Sequence, residues 1–266
     1  MAYVDEGSGE QTLLFIHGLA LYAKSWRKNI DHLKTKFRCI AIDLPGNGYS
    51  DKGDYPYGIH FFAGSIYNFI LKLNLKHVTV VGHSMGCQVA VELVTGEPGC
   101  CEKLVLCAPA GFETFKGWEK AIYKSSIHLV DFFSTEENSL RKVIYSSFFK
   151  NAKQSDDMID ELVTIMKSYS ISHYRKMIEA CIDGMLEEEV FDKLKLIQQP
   201  TLVMYGERDA LIPNRFIHPI TTRHLAEEGV KKIPDARLIM FPDCGHFLQI
   251  EQADAVNRNI ELFVKG

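Results

Sequence analysis

The chain has 266 residues, of which 46% are hydrophobic and 24% are charged, as is ordinary for a globular protein with a sizeable core. Its formal net charge of −4 at pH 7 gives no reason to expect nucleic acid or an anionic membrane as a partner. No apolar run approaches the ~20 residues of a membrane span. We therefore expect one large domain, or a domain with an insertion, that binds neither nucleic acid nor a membrane.

The first part of the chain predicts alternating strands and helices. Four short apolar runs are predicted strands, at residues 12–16, 38–43, 77–81 and 103–107. A helical pattern over residues 60–73 lies between the second and the third. The alternation resumes with strands at 201–206 and 237–241 and ends with a helix over 253–264. This order favours an α/β fold with a doubly wound, mostly parallel sheet.

Residues 111–199 separate the two alternating parts and predict an inserted helical cap. They contain no convincing strand, and apolar residues recur there at helical spacing: Leu140, Val143, Ile144 and Phe148. The insertion would lie over the carboxyl ends of the strands and roof a pocket. Its many aromatic residues, Phe132 and Phe133 among them, favour an apolar pocket. The predicted domains are a core of residues 1–110 and 200–266, and a cap of residues 111–199.

The cysteines and the amino terminus favour a cytoplasmic protein. The seven cysteines are odd in number, and Cys39, Cys87 and Cys107 fall in predicted core segments, so we expect buried free thiols. The adjacent Cys100 and Cys101 have no second ligand pair at zinc spacing, so no metal or cofactor is expected. The first seven residues lack the charged n-region and apolar h-region of a secretory signal.

Residues 82–86, Gly-His-Ser-Met-Gly, form the most informative motif. A G-x-S-x-G between a predicted strand and a predicted helix is a nucleophile elbow. The turn holds Ser84 in a strained conformation with its hydroxyl above the sheet. Side chains at Gly82 and Gly86 would collide with the neighbouring elements. We expect His83 to be a packing residue whose side chain points away from that of Ser84.

A nucleophilic serine needs a base, and the base needs an orienting carboxylate. On this architecture the acid and then the histidine follow the serine along the chain. Asp209 and His246 each come just after a predicted strand, where open α/β sheets place their sites. We predict Ser84 as nucleophile, His246 as general acid/base and Asp209 as the orienting carboxylate. Glu207 and Asp243 remain alternatives for the carboxylate.

An oxyanion hole requires two backbone N–H groups aimed at the developing negative charge. One is predicted from Met85, the residue after the nucleophile. The other is predicted from Leu19, in the loop that follows the first strand. Gly18 allows this loop to turn close to the elbow.

These motifs together resemble the α/β-hydrolase superfamily, in the group of esterase-like enzymes with a helical cap. The resemblance covers almost the whole chain and rests on the elbow and on His-Gly at 17–18, the D-x-x-G-x-G-x-S turn at 43–50, Gly-Glu-Arg-Asp at 206–209 and Cys-Gly-His at 244–246. It also implies that the chain keeps the end of the second family strand and lacks the first. The motifs are specific for the fold and poorly specific for the substrate.

The resemblance implies a serine hydrolase that cleaves a small to medium, largely apolar carboxylic ester, as a monomer or a small homo-oligomer. Related dehalogenases and epoxide hydrolases carry an aspartate nucleophile, so Ser84 argues against both. Carbon–carbon hydrolases of ring-cleavage products share the Ser-Met-Gly elbow, and Gln249 fits them, but this chain has His83 and Phe247 where they have Asn and Trp. Arg141 or Arg175 would then bind the acidic substrate. A slow-turnover receptor and an acyltransferase are further alternatives.

Overall fold

The computed structural model describes residues 1–129 and 137–266, and a seven-stranded sheet forms its centre. Its strands are β1 (Tyr3–Glu6), β2 (Thr12–Ile16), β3 (Arg38–Ile42), β4 (Val78–His83), β5 (Lys103–Cys107), β6 (Thr201–Gly206) and β7 (Ala236–Phe241). Their spatial order is β1-β3-β2-β4-β5-β6-β7, and every neighbouring pair except β1 with β3 is parallel. The prediction of a doubly wound, mostly parallel α/β sheet is confirmed.

Helices cover both faces of this sheet, which explains its continuous apolar strands. The helices of the described residues are α1 (Arg27–Leu33), α2 (Ile59–Lys72), α3 (Met85–Gly96), α4 (Gly117–Leu129), α5 (Glu137–Ser146), α6 (Asp156–Ser168), α7 (Ile171–Glu187), α8 (Thr222–Val230), α9 (Leu248–Glu251) and α10 (Ala253–Lys265). Strands β2, β4 and β6 are buried at every residue, as parallel strands packed on two faces must be. None of these helices is long and apolar enough to span a membrane.

The parallel register places the carboxyl ends of the central strands at one edge of the sheet. Ile16 of β2 pairs with Gly82 of β4, and the next strands continue the same register. Ser84 therefore leaves β4 at the edge where Asp209 follows β6 and His246 follows β7. The loops that carry Ser84, Asp209 and His246 meet at this edge because the parallel strands all end there.

The segment between β5 and β6 is helical in its described part. It contains α4 to α7 and two short 3-10 helices, and no strand occurs in residues 111–129 or 137–199. The apolar side of α6 is buried, as its spacing predicts, and it packs in a second apolar cluster with Tyr22 and Phe247 of the surrounding loops. Phe132 and Phe133 lie outside the described residues. The division into core and cap at residues 110 and 200 stays a prediction.

All seven cysteines are buried and free, as expected from their odd number and their positions. The Cys87 thiol donates to the Cys107 carbonyl at 3.3 Å, so this residue of α3 packs on β5 below the elbow. Burial raises the pKa of the Cys87 thiol well above its ordinary value. The thiol is therefore an inert packing group, whereas a reactive cysteine would need a stabilised thiolate.

Candidate active site

Ser84 occupies a strained turn between β4 and α3. Its backbone has φ +53° and ψ −118°, a region that costs a non-glycine residue about 1–3 kcal/mol. The turn is held by the Ser84 N–H, which donates to the Cys107 carbonyl at 3.0 Å, and by the Ser84 carbonyl, which accepts from Cys87 at 2.9 Å and from Ala110 at 3.2 Å. The strain that the motif predicts is therefore present, and neighbouring backbone groups sustain it.

The two glycines of the motif stand where a side chain has no room. A Cβ atom on Gly82 would lie 2.7 Å from the Gly86 carbonyl oxygen. One on Gly86 would lie 2.4 Å from the Ile16 carbonyl oxygen of β2. Both distances fall below any van der Waals contact, so the steric reason predicted for these glycines is confirmed.

Asp209 and His246 form a buried hydrogen-bonded pair. The His246 Nδ1–H donates to Asp209 Oδ2 over 2.8 Å, and the two residues are 2% and 0% exposed. The other carboxylate oxygen, Oδ1, accepts from the backbone N–H groups of Leu211 at 2.8 Å and Ile212 at 3.0 Å. The carboxylate thus fixes the tautomer that leaves His246 Nε2 free to accept a proton.

Ser84 and His246 line the same cavity. No hydrogen bond joins their side chains within residues 1–129 and 137–266. Catalytic hydrogen bonds are commonly loose without substrate and tighten in the reacting complex. The structure therefore brings the three predicted residues to one place, and their catalytic roles stay a proposal.

The two alternative carboxylates lie elsewhere. Glu207 pairs with Arg223, and the Asp243 side chain is 63% exposed with Lys150 Nζ 3.5 Å away. The separation of Glu207 from Asp209 arises in the turn after β6, where the Asp209 N–H donates to the Gly206 carbonyl at 3.2 Å. The chain reverses there, so only the later residue reaches the histidine.

The loop after β2 packs directly on the elbow. A Cβ atom on Gly18 would lie 3.1 Å from Ser84 Cβ, so a larger residue would push the loop away. His17 holds the loop, because its Nδ1–H donates to the Gly18 carbonyl at 2.7 Å and its Nε2 accepts from the Leu44 N–H at 3.0 Å. Burial keeps the pKa of His17 below its ordinary value, which suits a neutral ring that both donates and accepts.

The two predicted oxyanion donors, Leu19 and Met85, directly follow the two residues of this contact, Gly18 and Ser84, along the chain. Met85 is the first residue of α3, where N–H groups have no acceptor inside the helix. Leu19 lines the cavity beside Ser84. Their positions suit the predicted roles, which stay a proposal.

His83 is a packing residue, yet it lies against the site. It is fully buried, its Nε2–H donates to the His246 carbonyl at 3.0 Å, and the two imidazole centroids are 4.9 Å apart. His83 also lines the cavity that holds Ser84. Burial, reinforced by the neighbouring His246, lowers its pKa well below 6.5. No local pattern in the sequence indicates this contact with His246, because the two residues are 163 positions apart.

Acid is expected to destabilise the protein through His83. Because its folded-state pKa lies below the unfolded value of about 6.5, the unfolded chain takes up the proton first, and stability falls as the pH drops below about 6.5. Replacing His83 with Asn should reduce this loss by up to about 1.4 kcal/mol per pH unit. Chemical denaturation between about pH 5 and pH 7.5 measures the slope. Equal slopes for the wild type and His83→Asn would contradict the expectation.

The cavity has a volume of about 450 Å³ and a mostly apolar wall. Its apolar residues include Leu19, Leu140, Val143, Ile144, Ile182, Met185, Leu186 and Leu211. Polar groups also reach it, notably Gln88, Glu113 and Arg215. Glu113 accepts from His218 Nδ1 at 2.6 Å and from the Asn214 N–H at 2.9 Å, and burial raises its pKa.

The two arginines that the sequence offers for an acidic substrate, Arg141 and Arg175, are not among the cavity residues. Arg141 pairs with Asp156 at 2.8 Å and with Asp160. Arg215 does line the cavity, and its guanidinium donates to the Asp209 carbonyl at 3.3 Å. The sequence does not single out Arg215, because an exposed arginine in a loop carries no local signal of its function. Within residues 1–129 and 137–266, no group of three or more His, Cys, Asp or Glu residues could hold a metal ion.

Comparison with known proteins decides the family. The sequence model of the alpha/beta hydrolase fold family matches residues 11–253. The chain belongs to this family. Among curated relatives of this alpha/beta hydrolase, epoxide hydrolase 2 of Caenorhabditis elegans is 25% identical over 99% of the chain and 77% of the relative. The pimeloyl-[acyl-carrier protein] methyl ester esterase of Nitrosospira multiformis is 24% identical over 99% of the chain and 98% of the relative.

Solved structures agree with this assignment of the fold. An esterase from Exiguobacterium antarcticum superposes with a TM-score of 0.82 at 22% identity and covers 99% of this chain and 95% of its own. At such identity the similarity shows the fold alone. The relatives of this alpha/beta hydrolase thus include both esterases and epoxide hydrolases, and the choice between these chemistries depends on the site.

Proposed function

We propose that this alpha/beta hydrolase is a serine esterase, which cleaves a small to medium, largely apolar carboxylic ester through an acyl-enzyme. The observation that carries the proposal is Ser84 in a strained turn beside the buried Asp209–His246 pair, on the wall of one apolar cavity. A serine with a base and an orienting carboxylate is the arrangement of residues that catalyses acyl transfer. Ser84 in place of a nucleophilic carboxylate also favours ester over epoxide hydrolysis.

The first half-reaction would acylate Ser84. Its hydroxyl oxygen attacks the ester carbonyl carbon, and its proton passes to His246 Nε2. The negative charge that develops on the carbonyl oxygen would accept hydrogen bonds from the N–H groups of Leu19 and Met85. The bond between carbon and the alcohol oxygen then breaks, and the alcohol leaves with the proton from His246.

The second half-reaction would release the acid. A water molecule gives a proton to His246 Nε2 while its oxygen attacks the acyl carbon, and the Ser84 oxygen leaves with that proton. In both halves the imidazole becomes positively charged, and the buried Asp209 carboxylate, 2.8 Å from Nδ1, stabilises that charge. The short buried pair thus acts mainly in the transition states, where the charge is present.

One observation favours a second candidate, hydrolysis of a carbon–carbon bond in an acidic ring-cleavage product. Arg215 places a guanidinium at the cavity wall, where it would bind a carboxylate of such a substrate. His83 and Phe247 depart from that group, as described above. We therefore place this reaction second.

A series of p-nitrophenyl esters from acetate to palmitate tests the proposal. We expect turnover that depends on Ser84 and peaks at one acyl length, because a cavity of about 450 Å³ accommodates a limited chain. Labelling with a fluorophosphonate in parallel reports whether Ser84 is activated. A folded protein that labels at Ser84 but turns over no ester would contradict the esterase and favour the carbon–carbon hydrolase or a ligand sensor.

A further inference from the structure

The backbone of His246 is held from two different parts of the molecule. Its carbonyl accepts from His83 Nε2, at the end of β4. Its N–H donates over 2.8 Å to the carbonyl of Ser147, which lies just beyond α5 in the helical insertion. The predicted base is thus hydrogen-bonded directly to the insertion, although the two are about 100 positions apart in sequence.

Glu251 bridges the same two parts with one carboxylate. Its Oε1 accepts from the N–H of Gly245, next to His246, at 2.9 Å. Its Oε2 accepts from the N–H groups of Phe149 at 2.8 Å and Lys150 at 3.3 Å. Hydrogen bonds to an ionised carboxylate are about twice as strong as neutral ones, so this bridge is stronger than a contact between two backbones.

The bridged segments are in van der Waals contact. A Cβ atom on Gly245 would lie 2.6 Å from both the Ser147 carbonyl oxygen and the Phe149 nitrogen. The rings of Phe148 and Phe247 stack with centroids 4.8 Å apart. A displacement of one segment must therefore move the other.

The insertion side of this contact is also part of the cavity wall. Ser146 and Ser147 line the cavity, together with Leu140, Val143 and Ile144 of α5. A substrate that binds against α5 therefore contacts the segment that Glu251 joins to Gly245, the residue before His246. The cavity wall and the predicted base are thus joined by the direct hydrogen bond between Ser147 and His246 and by the Glu251 carboxylate.

We propose that Glu251 is a positioning residue, which sets the orientation of His246 by tying the histidine loop (residues 242–247) to the insertion segment (residues 146–150). Its kinetic consequence rests on the function proposed above. Glu251 itself does not line the cavity, so it acts through His246. This role predicts that replacing Glu251 lowers the rate of the chemical step more than it weakens substrate binding.

Replacing Glu251 with Ala is expected to lower kcat for p-nitrophenyl acetate on the order of 10²-fold, because a displacement of about 1 Å at a reacting group has that effect. KM should change less than about threefold, since acetate makes little contact with the wall. Glu251→Gln retains one carbonyl oxygen and should fall between the wild type and Glu251→Ala. The matched control is Glu261→Gln, which removes a surface carboxylate paired with Lys36 and Lys265 and should leave kcat unchanged.

A second readout does not depend on turnover. In protein labelled with ¹⁵N-histidine, the proton on His246 Nδ1, held by Asp209, should exchange faster with water in Glu251→Ala and Glu251→Gln than in the wild type. Glu251→Gln serves if Glu251→Ala does not fold. A folded Glu251 variant with the same proton exchange rate and the same kcat as the wild type would overturn the proposal. If the wild type hydrolyses no ester while proton exchange still depends on Glu251, the esterase fails and the positioning role stands.

Discussion

Replacing Ser84 with Ala is expected to reduce ester turnover by about 10⁴-fold or more, as the loss of the nucleophile does in other triads. The free energy of unfolding should change by less than about 0.5 kcal/mol. The Ser84 hydroxyl makes no hydrogen bond to the described residues, so its removal leaves no buried partner unpaired. Steady-state kinetics and urea denaturation measure the two effects.

Ser84→Gly separates the chemistry from the strain. Both variants lack the nucleophile, but glycine adopts φ +53° without the steric cost that alanine retains. We expect Ser84→Gly to be more stable than Ser84→Ala by about 1 kcal/mol, after the greater freedom of glycine in the unfolded chain is subtracted. Turnover by Ser84→Ala within tenfold of the wild type would refute Ser84 as nucleophile. Equal stability of the two variants would refute the strain.

The sheet could be predicted because its central strands are buried on both faces. Residues 78–81 and 201–206 consist almost entirely of apolar and β-branched residues for that reason, and their identity as strands follows from local sequence. The edge strand β1 differs, since its residues alternate between exposed and half-buried and it pairs antiparallel with β3. Four such residues carry little local signal, and only the family resemblance indicated this strand.

The candidate site could be predicted where chain order and turn chemistry determine it. The elbow fixes Ser84, and the order of strand ends indicates Asp209 and His246. The sequence does not decide between Glu207 and Asp209 as the orienting carboxylate, because residues two apart point the same way along a strand. Only the turn at Gly206 separates the two side chains.

The supporting contacts could not be predicted, because they join distant segments. His83 reaches the His246 carbonyl across 163 positions, and Glu251 reaches Phe149 across 102. A glutamate near a loop is usually a solvated surface residue, and nothing in the local sequence distinguishes Glu251 from Glu261. Such residues are recognised only when the fold brings their hydrogen-bond partners to them.

Replacing Asp209 with Asn should lower kcat by about 10⁴-fold through the wrong histidine tautomer. Oδ1 of Asp209 accepts two backbone N–H groups, from Leu211 and Ile212. The single oxygen of asparagine must stay with these two donors, because its NH₂ group cannot accept from them. The NH₂ group then faces His246 Nδ1, which must give up its proton to accept the new hydrogen bond. The proton moves to Nε2, where it blocks transfer from Ser84.

The tautomer can be observed separately from the rate. The ¹⁵N shifts of His246 should change from protonated Nδ1 in the wild type to protonated Nε2 in Asp209→Asn, while the melting temperature changes little. Glu207→Gln is the matched control, because that carboxylate pairs with Arg223 on the half-exposed side of the same turn, and its kcat should stay within about twofold of the wild type. Loss of activity in Glu207→Gln, with activity retained in Asp209→Asn, would show that Glu207 and not Asp209 is the catalytic carboxylate. If both variants kept full activity, catalysis would not require a carboxylate beside His246, and the role proposed for Asp209 would be refuted.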